Sequence, residues 1–160
     1  LLTTVETIQQ VLPYYESMYK RNVEIQSELE RLAKITSIRG RIIHNSRGTK
    51  TIEVDVISET NTSRTSAPSG ASVGKYEAVS FPEGGPEESL RILNENSKKF
   101  LEFESSDLKS IDETLKAIDQ TSNYSKIGGG LAYAITIASM ESASKAVGKQ
   151  LFELISEQGE

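Results

Sequence analysis

The sequence predicts an α+β fold: a three-stranded antiparallel sheet with helices packed on one face, preceded by a separate long helix. Three observations carry this. Thr51-Ile52-Glu53-Val54-Asp55-Val56-Ile57 alternates strictly, placing Ile52, Val54 and Val56 on one side and Thr51, Glu53 and Asp55 on the other. From Glu87 onward the apolar spacing changes to steps of three and four residues, which is helical. Before Lys34 the same helical spacing runs alone, ahead of any strand. Strands first and helices after is the order that builds a sheet covered on one side.

Length and composition bound the rest. A chain of 160 residues makes one domain with an appendage and can bury a real core. The net charge of -5 and pI near 5.1 leave no electrostatic footprint for a nucleic-acid partner. With no cysteine there is neither a disulfide framework nor a thiolate metal site. The single histidine, His44, cannot build a zinc site or a Ser-His-Asp triad alone, and reads as an exposed strand-end residue. No apolar run approaches the ~20 residues of a membrane span. The first residues lack the basic-then-apolar layout of a signal peptide, so a cytoplasmic protein without a membrane partner is expected.

Residues 1–34 form a helical extension, and 35–160 the domain proper. In the extension Ile8, Val11, Tyr15, Met18, Asn22, Ile25, Leu29 and Leu32 follow at alternating steps of three and four, the period of a coiled-coil seam. Pro13 predicts that the helix is entered near that residue and runs to Lys34, about 33 Å at 1.5 Å per residue. Asn22 on the seam is the kind of polar residue that fixes register. Two readings stay open: an amphipathic helix lying on the domain behind it, or a docking helix that meets a helical partner through residues 8–32, Ile25 and Leu29 included.

Ile35 to Ser58 reads as a β-hairpin turning at Asn45-Ser46-Arg47-Gly48, and a polar turn then leads to a short third strand. Ala67-Pro68-Ser69-Gly70-Ala71-Ser72-Val73-Gly74-Lys75-Tyr76-Glu77-Ala78 carries too little apolar mass for a core element. It suits either a surface turn or a mobile loop that folds over a ligand. It is not a phosphate-binding P-loop, because the G-x-x-x-x-G-K-[ST] spacing is missing. Pro86 is placed to open a helix, with Leu90, Leu93, Phe100 and Leu101 as its stripe through Lys99. Asp107 is the expected N-cap of the next helix, whose stripe is Leu108, Ile111, Leu115 and Ile118. Asp112, Glu113, Lys116 and Asp119 are then its wet face. Gly128-Gly129-Gly130 opens a helix of small residues that Gly148 ends, and Leu151 to Ile155 make a short terminal helix.

Three motifs in order bring a family into view. Pro68 to Ala78 resembles the active-site loop of enolases, V-P-S-G-A-S-T-G-x-x-E-A, departing only at Val73. Ser46-Arg47-Gly48 followed by Thr51 to Val56 is similar to the enolase hairpin D-S-R-G-N-P-T-V-E-V-D-V. Asn123-Tyr124-Ser125-Lys126-Ile127-Gly128 is similar to the N-K-S-K-x-G that opens a long helix. The resemblance covers Ile35 to Ser156 and only the N-terminal domain of that family. It departs at Asn45, where enolases carry aspartate, at Thr49-Lys50, where they carry Asn-Pro, and at Gly129-Gly130.

The resemblance implies a lyase of glycolysis that dehydrates 2-phosphoglycerate to phosphoenolpyruvate, using a base and Mg²⁺ to stabilise an ene-diolate. Base, acid and carboxylate ligands would come from a (β/α)₈ barrel, a domain or second subunit that these residues do not contain. What carries over is a substrate lid, Ser69, Gly70, Ala71 and Ser72, with Ser72 reaching the metal. Arg47 and Glu53 match family positions at contacts between domains or subunits. No catalytic residue is expected in this chain, which by itself should be inert. The alternative is a diverged, non-catalytic assembly or scaffold protein working through its N-terminal helix.

Overall fold

The computed structural model describes residues 4–70, 74 and 76–158, with 4–10, 26, 29–32 and 157–158 described in backbone only. By its internal contacts the chain divides into two compact units, Leu1–Arg31 and Leu32–Glu160.

The first unit is helix α1, Thr4–Leu32, which runs straight through Pro13. The expected entry at Pro13 is therefore wrong by nine residues at its start, Thr4 against Pro13. Proline removes one hydrogen bond, to the carbonyl four residues back, at a cost of ~3 kcal/mol inside a helix. The loss is confined to one rung, and the residues on either side continue the ladder.

In the second unit β1 (Ile35–His44), β2 (Lys50–Ser58) and β3 (Thr62–Ser66) form an antiparallel sheet in that order. The hairpin register pairs Ile42 with Ile52 and Ile38 with Val56. Its turn is closed by Asn45, whose Oδ1 accepts from the backbone N–H of Arg47 at 2.9 Å and of Thr49 at 3.0 Å. That is the local reason an Asx residue stands there. Ile52, Val54 and Val56 are fully buried, as their alternation predicts, and each contributes ~1.5–3 kcal/mol by leaving water.

Helices cover that face. α2 (Gly85–Asn96) lies on β1 and β2, and α4 (Gly129–Ala146) on β2 and β3. Ala134, Ala138, Ser139 and Ser142 are buried in α4, so small side chains let the helix settle close to the strands. The stripe expected to continue through Lys99 is broken: α2 stops at Asn96, and a tighter 3₁₀ turn, Ser97–Phe100, swings Phe100 into the core. α3 (Leu108–Asp119) is capped by Asp107, whose Oδ1 accepts from Ser110 N–H at 3.0 Å. It buries Ile111, Leu115 and Ile118. Asp119, expected on the wet face, is only 1% exposed. α5 (Leu151–Gln158) closes the described chain. Among the described residues no helix is long and apolar enough to cross a membrane.

Candidate functional site

The loop after β3 is tied down before it departs. Ala67 is buried; its N–H donates to the Ile52 carbonyl at 2.9 Å, and its own carbonyl accepts from the Thr51 hydroxyl at 3.0 Å. Ser69 and Gly70 follow, both exposed. Their carbonyls accept from a single guanidinium nitrogen, Arg47 Nη2, at 2.8 Å and 3.0 Å. Ala71 and Ser72, the other two residues expected in the lid, lie outside the described residues. Beyond them Gly74, Tyr76, Glu77 and Ala78 are exposed, Tyr76 at 92%.

The far end is tied more firmly. Val79 N–H donates to the Asn123 carbonyl at 2.8 Å. Gly129 N–H donates to the Val79 carbonyl at 2.7 Å, and Gly130 N–H to the Ser80 carbonyl at 2.9 Å. These amides belong to the first turn of α4, where no intrahelical acceptor exists, so the loop's exit segment serves as the helix cap. No side chain caps α4.

The three glycines follow from this close approach. Gly128 has φ +87°, and a Cβ there would stand 2.8 Å from the Ser80 carbonyl oxygen. At Gly130 a Cβ would meet the Phe81 ring at 2.9 Å and the Ser80 oxygen at 3.0 Å. The helix gives up ~1 kcal/mol of propensity at each of Gly129 and Gly130, the two inside it, and gains the backbone strap in return.

Asp119 organises the same region. Its Oδ2 accepts from the N–H of Ile127 at 2.8 Å and of Lys126 at 3.1 Å; its Oδ1 accepts from Thr121 N–H at 2.9 Å and from the Thr121 hydroxyl. Burial pushes this carboxyl up, but the Thr121 hydroxyl and the three amides outweigh it and hold the group below the usual carboxylate range. Residues 121–127, which carry the Asn123 acceptor, are thereby fixed. The period of α3 concealed this. The available signal was an acid in the last turn of a helix, where the macrodipole disfavours it unless donors compensate.

The sheet face opposite α2 and α4 is charged. Arg41 donates from both terminal nitrogens to Asp55, at 2.9 Å and 2.7 Å, and from Nε to Glu53 at 2.9 Å. Arg64 Nε adds 2.7 Å to Asp55, and the Ser66 hydroxyl reaches Glu53 at 3.1 Å. The hydrogen bond from Arg64, above all, holds the Asp55 carboxyl low. Glu53, expected at an interface, is thus a member of this cluster, whereas Arg47 stands at the loop. The motif match named Arg47 and Glu53 but missed Arg41, Asp55 and Arg64, whose facing positions follow from the register Arg41↔Glu53 and Asp55↔Arg64. On α1, Ile25 is 49% exposed; the Leu29 side chain lies outside the described residues.

Among the described residues no three His, Asp or Glu side chains gather to hold a metal ion. The loop offers hydroxyl and carbonyl oxygens, which hold Mg²⁺ only beside carboxylates or phosphate. The described donors therefore do not fit Mg²⁺ by themselves.

The sequence profile of the family described as "Enolase, N-terminal domain" matches residues 35–155. The enolase of Methanosphaera stadtmanae is 37% identical over 122 residues, 76% of this chain and 30% of that protein. The enolase of Methanothermobacter thermautotrophicus is 37% identical over 122 residues, with 76% and 29% covered, and that of Picrophilus torridus 37% over 123, with 76% and 30%. The chain therefore spans under a third of the length of these relatives. Since the matched residues take in the hairpin, the loop and both of its anchors, the chain belongs to the enolase N-terminal domain family.

Proposed function

We propose that this domain caps the active site of an enolase-type lyase, dehydrating 2-phosphoglycerate to phosphoenolpyruvate in the cytoplasm as a step of glycolysis. The observation that carries this reading is a loop strapped at both ends through backbone groups while its described middle stands in solvent. Such a segment can close over a ligand without disturbing the sheet. Ser69, Gly70, Ala71 and Ser72 would form the flap, and the Ser72 hydroxyl would supply one oxygen to a Mg²⁺ ion whose other ligands lie outside this chain. The remaining metal ligands, the base and the acid come from a barrel domain or second subunit, so the chain alone is inert. Glu53, in the cluster opposite the helices, serves the contact with that domain or subunit.

The test is a phosphoglycerate dehydration assay on the full-length gene product beside its Ser72→Ala variant. On this reading, losing the Ser72 hydroxyl should lower kcat roughly tenfold or more, equivalent to upwards of ~1.4 kcal/mol. An unchanged rate removes Ser72 from the mechanism, and no activity in the full-length protein favours the second reading. That reading, an assembly role through α1, is favoured by its exposed apolar side chains, among them Val11, Met18 and Ile25.

A further inference from the structure

We infer that α1 pairs with α1 of a second copy of this chain as a parallel, in-register two-stranded coiled coil. The inference rests on the assembly reading of α1 and names its partner. The observed helix spans Thr4–Leu32, so all eight seam positions from Ile8 to Leu32 fall on one uninterrupted element. Taking Ile8 as position a, the a residues are Ile8, Tyr15, Asn22 and Leu29, and the d residues are Val11, Met18, Ile25 and Leu32. Seam side chains stand substantially in solvent: Val11 43%, Tyr15 64%, Met18 45% and Ile25 49%. Each charged residue of the helix (Glu6, Glu16, Lys20, Arg21, Glu24, Glu28, Glu30 and Arg31) falls off the seam. Pro13, the residue least suited to a packed surface, occupies f, the outermost position.

Asn22 selects the partner and its direction. In an antiparallel pair a residues face d residues, and every d residue here is apolar, so Asn22 would be buried without a polar partner in any register. In a parallel pair displaced by one heptad it faces Tyr15 or Leu29 of the other helix. Only the parallel, unshifted pairing of identical chains sets Asn22 against Asn22, where the two amides can hydrogen-bond. The flanks agree: position g of one helix then neighbours the following e of the other, which brings Tyr14 beside Tyr19 of the second copy. These rings are 66% and 71% exposed in the single chain, and aromatic contact of this kind is enriched at interfaces.

The absence of cysteine gives a clean test in the whole chain. Sedimentation over about a hundredfold range of protein concentration should show a monomer–dimer equilibrium, which Leu29→Glu shifts fully to monomer. Met18→Cys and Ile25→Cys, each made alone, should oxidise to disulfide-linked dimers, because d positions face their own copies at bridgeable distance. Asn22→Ile should lose the single state and give a mixture of dimer and larger species. An oligomer that cross-links only when Met18→Cys is mixed with Asn22→Cys is antiparallel and overturns this inference while leaving the assembly reading intact. A dimer indifferent to Leu29→Glu and refractory at 18 and 25 overturns it likewise. A wild-type monomer at every concentration, unaltered by Leu29→Glu, removes both.

Discussion

Arg47 Nη2 donates to the Ser69 carbonyl at 2.8 Å and, from the same nitrogen, to the Gly70 carbonyl at 3.0 Å, so the turn between β1 and β2 holds the start of the loop after β3. The contact is exposed, and a charged hydrogen bond in that setting is worth on the order of 1 kcal/mol. Arg47→Ala should therefore speed amide exchange and proteolytic cleavage across residues 68–78 about fivefold. Global stability should change by less than ~1 kcal/mol, because the bonds at Ala67 and Val79 remain. Unchanged exchange in the variant would show that the guanidinium does not hold this loop.

Glycine-to-alanine changes at the two ends of α4, at the N-cap Gly128 and at Gly148 just past the C-terminus, should differ in cost. At Gly128 the positive φ and the 2.8 Å approach to the Ser80 oxygen make alanine costly, by roughly 2–3 kcal/mol. Gly148 shares a positive φ but has nothing within 4 Å of its would-be Cβ, so Gly148→Ala should cost only about 1 kcal/mol. Thermal melts of the two variants give the comparison. Equal losses would mean that φ alone, and not the strap to Ser80, sets the requirement for glycine.

The carboxylate of Asp119 links α3 to the loop that receives Val79. Asp119→Asn keeps one acceptor oxygen and turns an NH₂ toward either Thr121 or the amides of Lys126 and buried Ile127, a loss of about 2–3 kcal/mol. Its carboxyl is held below the usual range in the folded chain, so the stability it supplies is complete above the unfolded value, about 3.9. That contribution drains away as pH falls through the lower, folded value. The wild-type advantage over Asp119→Asn should thus be constant from pH 7 to about pH 5 and shrink below about pH 4. A difference unchanged at low pH would show that the ionised group is not what the amides recognise.

What the sequence disclosed was whatever repeats with a period. Ile52, Val54 and Val56 stand out at every second residue, and Ile111, Leu115 and Ile118 at helical steps, because burial selects them independently of their neighbours. Asp107 was legible as a cap since its partner, Ser110, lies within one turn. Asp119 was not, for its acceptor role depends on Lys126 and Ile127 folding back over the end of α3. Gly129 and Gly130 serve contacts with Val79 and Ser80, which are distant in sequence and set against them only by the fold. Pro13 works in the other direction: its local penalty falls on one turn, while the apolar seam from Ile8 to Leu32 continues on both sides of it. Ser72 is named by its motif alone, and its place lies outside the described residues.

Asp55 and Asp119 are both buried carboxylates with lowered pKa values, yet their partners differ in kind, and salt should tell them apart. Asp119 is held by a hydroxyl and neutral amides, dipoles that mobile ions hardly screen. Asp55 is held by two guanidinium groups whose side chains are 37% and 56% exposed, at Arg41 and Arg64. At about 1 M salt the Debye length falls to ~3 Å, comparable with the pair separations themselves. Asp55→Asn should cost about 1–2 kcal/mol in dilute buffer, less than a fully buried pair because both arginines reach water. At about 1 M potassium chloride that loss should fall by roughly half, while the loss from Asp119→Asn stays within ~0.3 kcal/mol of its low-salt value. Denaturant titrations at the two ionic strengths measure both. Parallel behaviour of the two variants would mean that Asp55 is stabilised chiefly by hydrogen-bond geometry, and that the charge of Arg41 and Arg64 contributes little to the face where Glu53 stands.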